Sequence, residues 1–289
     1  MLSELMAVAF LAAPMAGGGE RVDERRAAAA DAIVEIDGAG GSLRIVGWDK
    51  AEVWVTGTLG DGAEGLELSG SSRRISVDVD TMGNPDSVKS DLEVHVPAGA
   101  RVEVSAMSAD ITVTNVTGTV TADTVAGDVS VTGSAKEISL ESVNGTVTAA
   151  CACARAHVES VNGAVTVTGG HGEIAASTVN GALTVTGGKF ERAKLETVNG
   201  RITFDGELVP RATLGIESVG GSVELRLPAG TNADFTINTF SGSIRNDWGE
   251  EGRRTSRYTR EQELSFTAGS GGASVDVQTL SGNVILTKR

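Results

Sequence analysis

One group of side chains in the sequence has the types and spacing of a metal site. Cys151 and Cys153 form a Cys-x-Cys pair, and His171 follows Cys153 eighteen positions later. Thiolate and imidazole groups are the ligands that zinc prefers. If the chain turns back on itself at that interval, the three side chains could meet. The favoured alternative is that the cysteines are two small residues at a corner of the fold. A disulfide across so short a span would be strained, so neither the redox state nor the compartment follows from this pair.

Acidic residues recur at the same interval. It separates Asp110 from Asp128, and it also separates Glu141 from Glu159. Stacked carboxylates could bind calcium, or could act with a base in a polysaccharide-cleaving enzyme. No basic residue recurs beside them as a catalytic partner, so a solvated surface is the favoured interpretation. The glycines recur with turns and open no helix, so no phosphate-binding loop is indicated and no cofactor is predicted.

This shared interval belongs to an internal repeat. The segment "ESVNGAVTVTGG" begins at Glu159, and "STVNGALTVTGG" begins at Ser177. Asn-Gly and related turns recur at nearly regular intervals from Asn144-Gly145 as far as Ser241-Gly242, and Ser281-Gly282 closes the series. A period of about 20 residues is typical of a stacked solenoid.

Apolar residues fall into columns when the repeats are aligned on these turns. The column just before the turn contains Met107, Val125, Val143, Val161, Val179, Val198, Val219, Phe240 and Leu280. Each repeat has two short runs of alternating apolar residues, such as Ile138 and Leu140, then Val147 and Ala149. Alternation predicts strands, and the change of parity at the turn predicts a corner. The sequence therefore predicts an all-β protein, a single-chain parallel β-solenoid (β-helix) of about 18–21-residue coils in which successive coils pair in parallel.

The turn residues themselves have a predicted structural role. Four asparagines and their following glycines occupy equivalent positions in successive coils. The asparagine side chains are expected to form a ladder of amide hydrogen bonds, and glycine is expected where φ is positive or the next coil crowds the backbone. This turn ladder comprises Asn144, Asn162, Asn180 and Asn199 with Gly145, Gly163, Gly181 and Gly200.

Charged residues also recur in register. Glu137, Arg155 and Glu173 are spaced by the repeat interval, and Arg192 extends the column. Opposite charges on neighbouring strands favour the correct register. His95, in the alternating segment "LEVHVP", is predicted to be structural.

The N-terminal residues have the character of a secretion signal. An apolar run from Leu5 to Ala16 is too short to span a bilayer but long enough for the core of a signal peptide, predicted here at 1–19. The alternative is an apolar N-terminus of a cytosolic protein. No later segment reaches transmembrane length, so no membrane span is predicted.

Three further regions follow. Residues 20–31 are predicted to be a charged linker or a short helix. Residues 32–100 contain one coil and longer strands that are expected to form an N-terminal β cap. Residues 101–289 are predicted to be the β-solenoid, with a polar excursion at 246–267 that forms either a projecting hairpin or a mobile loop.

Composition and charge restrict the partners. The chain has 289 residues, 38 of them acidic and 24 basic, for a formal net charge of −14, and only 3% are aromatic. Such a surface repels phosphate backbones and offers few stacking platforms, so no nucleic-acid partner is predicted. Anionic membranes are disfavoured for the same reason.

The order of the motifs resembles a known family. The segments "GGSLRIVGWDKAEVWVTG", "VHVPAGARVEVSAMSADITV", "LRLPAGTNADFTINTFSGSI" and "GGASVDVQTLSGNVIL" occur in this order around the repeats. Over roughly residues 32–289 the chain resembles a bacterial β-repeat family known as a "putative adhesin" domain of unknown function. The resemblance implies a β-solenoid in an exported or envelope-associated protein, and it implies no catalytic residues.

These observations predict a non-enzymatic β-solenoid of the periplasm or cell surface that acts as an adhesion or scaffold module. Its expected partner is an envelope protein or a glycan of unknown identity. The first alternative is a cytoplasmic scaffold that self-associates by stacking solenoid ends. The second is a carbohydrate-active enzyme that uses Asp110 and Asp128.

Overall fold

Alternating apolar residues place nearly the whole chain in strands. The computed structural model describes residues 19–81, 88–255 and 260–289, with 23 strands joined in one sheet and no helix in these ranges. The signal peptide predicted at 1–19 lies outside them except for Gly19. No described helix is long and apolar enough to cross a membrane.

The strands of the N-terminal part differ widely in length. They are β1 (Arg21–Ala27), β2 (Ile33–Trp48), β3 (Glu52–Thr58), β4 (Ala63–Ser71), β5 (Arg74–Thr81) and β6 (Ser90–Pro97). The middle strands are β7 (Arg101–Thr114), β8 (Thr119–Ala126), β9 (Val129–Gly133), β10 (Glu137–Asn144), β11 (Val147–Cys151), β12 (Arg155–Ser160), β13 (Val165–Thr168), β14 (His171–Asn180), β15 (Leu183–Asn199), β16 (Ile202–Ser218) and β17 (Val223–Leu227). The last six are β18 (Ala233–Thr239), β19 (Ile244–Asn246), β20 (Arg253–Arg254), β21 (Gln262–Ala268), β22 (Ala273–Thr279) and β23 (Val284–Lys288).

Between β7 and β17 each repeat forms one layer and pairs in parallel with the repeat before it. Leu140 of β10, for example, lies between Ala122 of β8 and Val158 of β12. Val147 of β11 lies between Val129 and Val165 in the same way. Equivalent residues therefore stack on one another, which is the reason that the apolar columns of the sequence exist.

The core is a narrow apolar interior between the two runs of each repeat. Ile138, Leu140, Val147 and Ala149 are all buried, as the alternation predicts. Small residues dominate, but towards the C-terminal half the interior holds large rings, with Phe190 and Phe204 packed 5.8 Å apart between ring centroids.

The last repeat of the chain does not occupy the last layer. β22 pairs in parallel with β16 on one side and with β18 on the other, and β23 lies between β17 and β19 in the same way. The layer formed by β22 and β23 is thus inserted between two layers that precede it in sequence. The prediction that successive coils always pair is wrong at this point. The expected order and the observed order of layers bury the same apolar columns, since Val277 takes the place beside Ile216 that sequence order would give to Ile237.

Two described strands of the polar excursion predicted at 246–267, β20 and β21, cover the end of the stack formed by β18. β21 pairs antiparallel with β18, and β20 pairs antiparallel with β21. The rings of Phe235 and Phe266 stack with centroids 4.6 Å apart, and Trp248 packs beside both rings. The sequence suggested either a projecting hairpin or a mobile loop for this segment. β21 is neither, because it pairs along β18.

Antiparallel strands also cover the other end. β5 and β6 pair in parallel with the free edge of β2, whereas β4 pairs antiparallel with β5 and β3 pairs antiparallel with β6.

β1 completes this end, because it pairs antiparallel with β3. The predicted linker or short helix at 20–31 is therefore wrong for Arg21–Ala27. The segment is a strand, because Val22 packs against the core and the Arg26 guanidinium donates hydrogen bonds to the carbonyl oxygens of Leu68 and Gly70.

A stack of aromatic rings fixes the long strands of this N-terminal end. The His95 ring packs against both Trp48 and Trp54, with centroids 4.8 and 5.0 Å away, and the two tryptophan rings stack on each other at 5.9 Å. Lys50 and Arg25 lie over the tryptophan rings, and the His95 ring is hydrogen-bonded to Glu93. These contacts support the structural role predicted for His95.

The all-β prediction is confirmed, but the sheet is mixed. Parallel pairing joins the repeats, and antiparallel strands lie at both ends. The prediction of a purely parallel solenoid is therefore incomplete. Each terminal layer has an edge whose backbone N–H and C=O groups need hydrogen-bond partners, and the antiparallel strands supply them.

Candidate functional site

The turns of four successive repeats carry the predicted asparagine ladder. Asn162 donates its side-chain N–H to Asn144 Oδ1 at 3.0 Å, Asn180 donates to Asn162 at 2.9 Å, and Asn199 donates to Asn180 at 3.1 Å. The four side chains are exposed, but their amides are engaged with one another. The ladder therefore holds the layers in register.

The glycines of the turn are required by crowding. Gly145, Gly163, Gly181 and Gly200 have no positive φ, but a Cβ at each would overlap the carbonyl oxygen of the glycine one layer before. The sequence predicted glycine either for a positive φ or because the next layer crowds the backbone. Only crowding applies at these four positions.

A row of buried hydroxyl groups supports the same corner. Ser142, Ser160 and Thr178 each donate to a glycine carbonyl of the previous layer, at 3.0, 3.0 and 2.9 Å. Sequence analysis missed this row. Its signal is a Ser or Thr two residues before each turn, recurring at the repeat interval.

Asp110 and Asp128 serve the backbone. Asp110 Oδ1 accepts the Asp128 N–H at 2.9 Å, and Asp128 Oδ1 accepts the Thr146 N–H at 2.7 Å. Asn283 accepts the Ser243 N–H at 3.0 Å from the equivalent turn position. Because the neutral amide of Asn283 forms the same hydrogen bond, the role of these side chains in holding the turn does not depend on their charge.

The proposed cluster of Cys151, Cys153 and His171 is not formed. The two cysteines are joined by a disulfide and are buried, whereas His171 is exposed. A disulfide sulfur lacks the thiolate charge that zinc binding requires. The structure therefore does not bring these three side chains together as metal ligands, and the metal site stays a prediction.

The charged column at 137–192 forms the ion pairs expected of it. Arg155 donates to Glu137 at 2.9 Å, and Arg192 pairs with Glu173. The hydrogen bond from Arg155 lowers the pKa of the Glu137 carboxyl below its usual value. All four side chains are exposed to solvent, so these pairs favour the register and add little stability.

Glu141, His157 and Glu159 come together on the surface. One ligand atom from each lies within 4.8 Å of the others, and the His157 ring is 3.3 Å from Glu159. The donors suit a divalent cation, but all three side chains remain partly or fully accessible. This is the only such group within the described ranges, and it belongs to the larger surface that follows.

The column just before the turn is exposed. Its nine side chains run from Met107 to Phe240 across consecutive layers, with exposed fractions between 38% for Val179 and 54% for Leu280. We call these residues the apolar row: Met107, Val125, Val143, Val161, Val179, Val198, Val219, Leu280 and Phe240, in spatial order. Sequence analysis found the column but could not tell on which side of the sheet it lies.

A second row runs parallel to the first, two residues earlier in each repeat. We call it the acidic row: Asp37, Ser105, Asp123, Glu141, Glu159, Ser177, Glu196, Glu217, Gln278 and Asn238, in the order of strand pairing. The row of buried hydroxyl groups lies between the acidic row and the apolar row, and below both. Both outer rows face solvent because the alternation of the strand continues through them, so that Glu141 and Val143 point outward on either side of the buried Ser142.

The two rows form the walls of a long groove. Cavities of about 560 Å³ and 420 Å³ lie along it and share Ser177 and Val179, and a third of about 320 Å³ continues to Asp37 and Met107. Glu261, which precedes β21, lines the far end. We refer to this surface as the long groove.

Two carboxyls of the acidic row have raised pKa values. Burial, followed by the neighbouring Glu141, raises the pKa of Asp123 above its usual value. Burial, followed by Asp78, does the same to the pKa of Asp37. Both carboxyls are thus less easily ionised than in water, because burial disfavours the charged form and a neighbouring carboxyl adds repulsion.

Comparison with solved structures shows a similar fold. A crystal structure of a "putative adhesin" from Parabacteroides distasonis is 12% identical in sequence, with a TM-score of 0.52 over 93% of this chain and 98% of the other. A second from Bacteroides fragilis has 12% identity and a TM-score of 0.41 over 93% and 97% of the two chains. A third from Parabacteroides merdae has 11% identity and a TM-score of 0.38 over 94% and 98%. At these identities the likeness concerns the fold alone, and only the first is close enough to support it.

No curated protein matches the sequence. The family comparison is positive, since the Toastrack DUF4097 family matches residues 49–287, most of the chain and every repeat from β7 onward. The chain therefore belongs to the Toastrack DUF4097 family, a family of unknown function, as its order of motifs suggested.

Proposed function

We propose that the chain is a non-enzymatic stacked-repeat solenoid that is exported to the periplasm or cell surface and acts there as an adhesion or scaffold module. The observation that carries the proposal is the repetition of like side chains in register over many layers, seen in the asparagine ladder and in the apolar row. Repeated weak contacts bind an extended partner with an affinity that grows with their number.

Three further points support this function. One oxygen of each of the Asp110 and Asp128 carboxylates accepts a hydrogen bond from a backbone N–H, which gives both residues a structural role. Antiparallel strands cover both ends of the stack, which disfavours a filament built by end-to-end stacking. The similar fold is that of a protein called a "putative adhesin". The partner we propose is an envelope protein or a glycan.

The first test concerns location. The intact mass of the chain would be measured in separated fractions of the native cells. We expect a form that lacks roughly the first 16 to 19 residues and occurs outside the cytoplasm, since signal peptides of this size are removed on export. An uncleaved chain confined to the cytosol would contradict the proposal.

The second test concerns adhesion. Purified protein on a surface would be exposed to native envelope fragments and, as a control, to cytosolic extract of equal protein content. Retention of envelope material that rises steeply with the surface density of the protein is expected for repeated weak contacts. Equal retention of both extracts would reject an adhesive role.

A further inference from the structure

We propose that the long groove binds a basic amphipathic α-helix of a partner protein. The inference rests on the proposed function, because it names the surface and the chemistry of the partner that an adhesion or scaffold module would hold.

The apolar wall is unusually exposed for a sheet surface. All but one of the large apolar side chains that are exposed in the described residues belong to the apolar row, the exception being Ile285. Nine members on neighbouring strands make a continuous stripe about 40 Å long, at about 4.8 Å per strand. Continuous exposed apolar surface of this kind marks an interaction site.

The acidic wall specifies the charge of the partner. Within the described residues, no Lys, Arg or His forms a salt bridge with Asp37, Asp123, Glu141 or Glu217. The remaining carboxylates, Glu159 and Glu196, pair with His157 and Lys194 respectively. Lysine or arginine side chains entering the groove would offset the repulsion among the unpaired acids. Nucleic acids and anionic membranes would be repelled instead.

The layer spacing favours a helix over a strand. Side chains on one face of a helix recur about every 5.4 Å, close to the spacing of about 4.8 Å between layers. Like-facing side chains of an extended chain recur at about 6.7 Å. Strand addition is also disfavoured, because backbone groups beside the apolar row are already bonded between layers, as from Asn162 N to Val143 O at 2.8 Å. A helix of about 25 residues would span the groove.

The test uses a designed peptide and the full chain. The probe is a fluorescent peptide of about 25 residues with leucine along one helical face and lysine along one flank of that face. Its two controls are a peptide of the same composition with the leucines distributed around the helix, and a peptide with glutamate in place of lysine. Fluorescence anisotropy would be measured at low and at high salt. We expect binding of the first peptide, about tenfold weaker binding of both controls, and weaker binding at high salt.

Protein variants then locate the site. Val143→Thr, Val161→Thr and Val179→Thr, combined in one protein, keep the shape of the side chains but make the wall polar. They are expected to weaken binding about tenfold. Glu141→Gln with Glu159→Gln should reduce the salt dependence. The matched control is Thr148→Ser, Thr166→Ser and Thr184→Ser, which alters the same region of the stack outside the groove and should leave binding unchanged. Thermal unfolding would establish that all variants fold.

The outcomes separate this inference from the proposed function. Absence of binding, equal binding of the permuted peptide, or full binding by the triple valine variant would overturn the groove assignment. If the triple valine variant still retained native envelope material, adhesion would stand and would use another surface. If the wild-type protein bound the peptide but retained no envelope material, the groove would stand and the adhesive role would fall.

Discussion

The glycine at each turn allows the layers to approach one another. A Cβ on Gly163 would overlap the Gly145 carbonyl oxygen, whereas a Cβ on Gly215 would meet no atom within 4 Å. Neither residue has a positive φ, so the comparison isolates crowding from backbone strain.

We therefore predict that Gly163→Ala lowers the free energy of unfolding by about 1–3 kcal/mol, the usual cost of overpacking. Gly215→Ala is expected to be neutral or slightly stabilising. Chemical denaturation of both variants measures the difference. Equal destabilisation by the two changes would contradict the explanation by crowding.

Asp123 provides a prediction about pH. Because burial and Glu141 raise its pKa in the folded state, this carboxyl contributes stability that is complete below the unfolded value near 3.8 and is lost as pH rises through the raised value. Asp123→Asn should therefore stabilise the protein at neutral pH, by less than about 1 kcal/mol since solvent screens the group. The gain should vanish near pH 3 in denaturation curves measured at several pH values.

Glu137→Gln is the matched control for the sign. Its pKa is lowered by Arg155, so the ion pair contributes stability above the unfolded value near 4.5 and loses it as pH falls through the folded value. This variant should lower stability at neutral pH and have no effect in acid. The same sign for both variants at neutral pH would refute the electrostatic account.

At the scale of elements, the position of β22 is the least expected feature. β22 is bonded on both sides, to β16 and β18, although it lies near the C-terminal end of the sequence. β20 has only two residues and pairs with β21 alone.

Hydrogen exchange should reflect this arrangement. The amides of β22 are predicted to exchange among the slowest in the chain, whereas those of β20 should exchange among the fastest, since protection follows burial and pairing. Mass spectrometry of exchanged peptides would measure both segments. Rapid exchange in β22 would show that the inserted layer is not formed in solution.

The sequence determined the elements far better than their order. Leu140, Val158 and Ala176 share a column, and pairing in register follows from that column. Ile237 and Val277 share the same column as well, so either could follow Ile216. The apolar pattern alone does not distinguish the sequential order of layers from the observed order, in which β22 lies between β16 and β18. The segment 246–267 is long enough to permit the observed order, but its sequence does not require that order.

The candidate site was predictable only in part. Repetition identified the asparagine ladder, because four copies at one position indicate stacking. The exposure of Val143 and its equivalents was not predictable, because an apolar column before a corner fits either side of the sheet. The groove depends on the side of the sheet that these residues face. It also depends on the strand pairing that brings Asp123 and Glu141 together.

At the scale of the molecule, the covered ends determine whether copies associate. β1 pairs with β3, and the Arg26 guanidinium donates hydrogen bonds to carbonyl oxygens of β4. Removal of the strand would leave the outer edge of β3 without partners. Unpaired edges are templates for association between chains.

We predict that the intact protein sediments as a monomer over a wide range of concentration. A chain that begins at Ala28 should form dimers or larger species as concentration rises. Analytical ultracentrifugation of both proteins is the measurement. Filaments of the intact chain would favour the alternative of a self-assembling scaffold.

The insertion of β22 and β23 also determines when the protein can finish folding during its synthesis. A ribosome makes β18 and β19 before β22 and β23, yet their parallel pairing partners in the native structure are the two later strands. The earlier repeats can stack one by one as they emerge, but β18 must wait beside an incomplete stack until about forty more residues are made. A chain interrupted within that interval would expose the apolar edge of β17 and β18, so that premature termination yields a species that quality-control proteases can recognise.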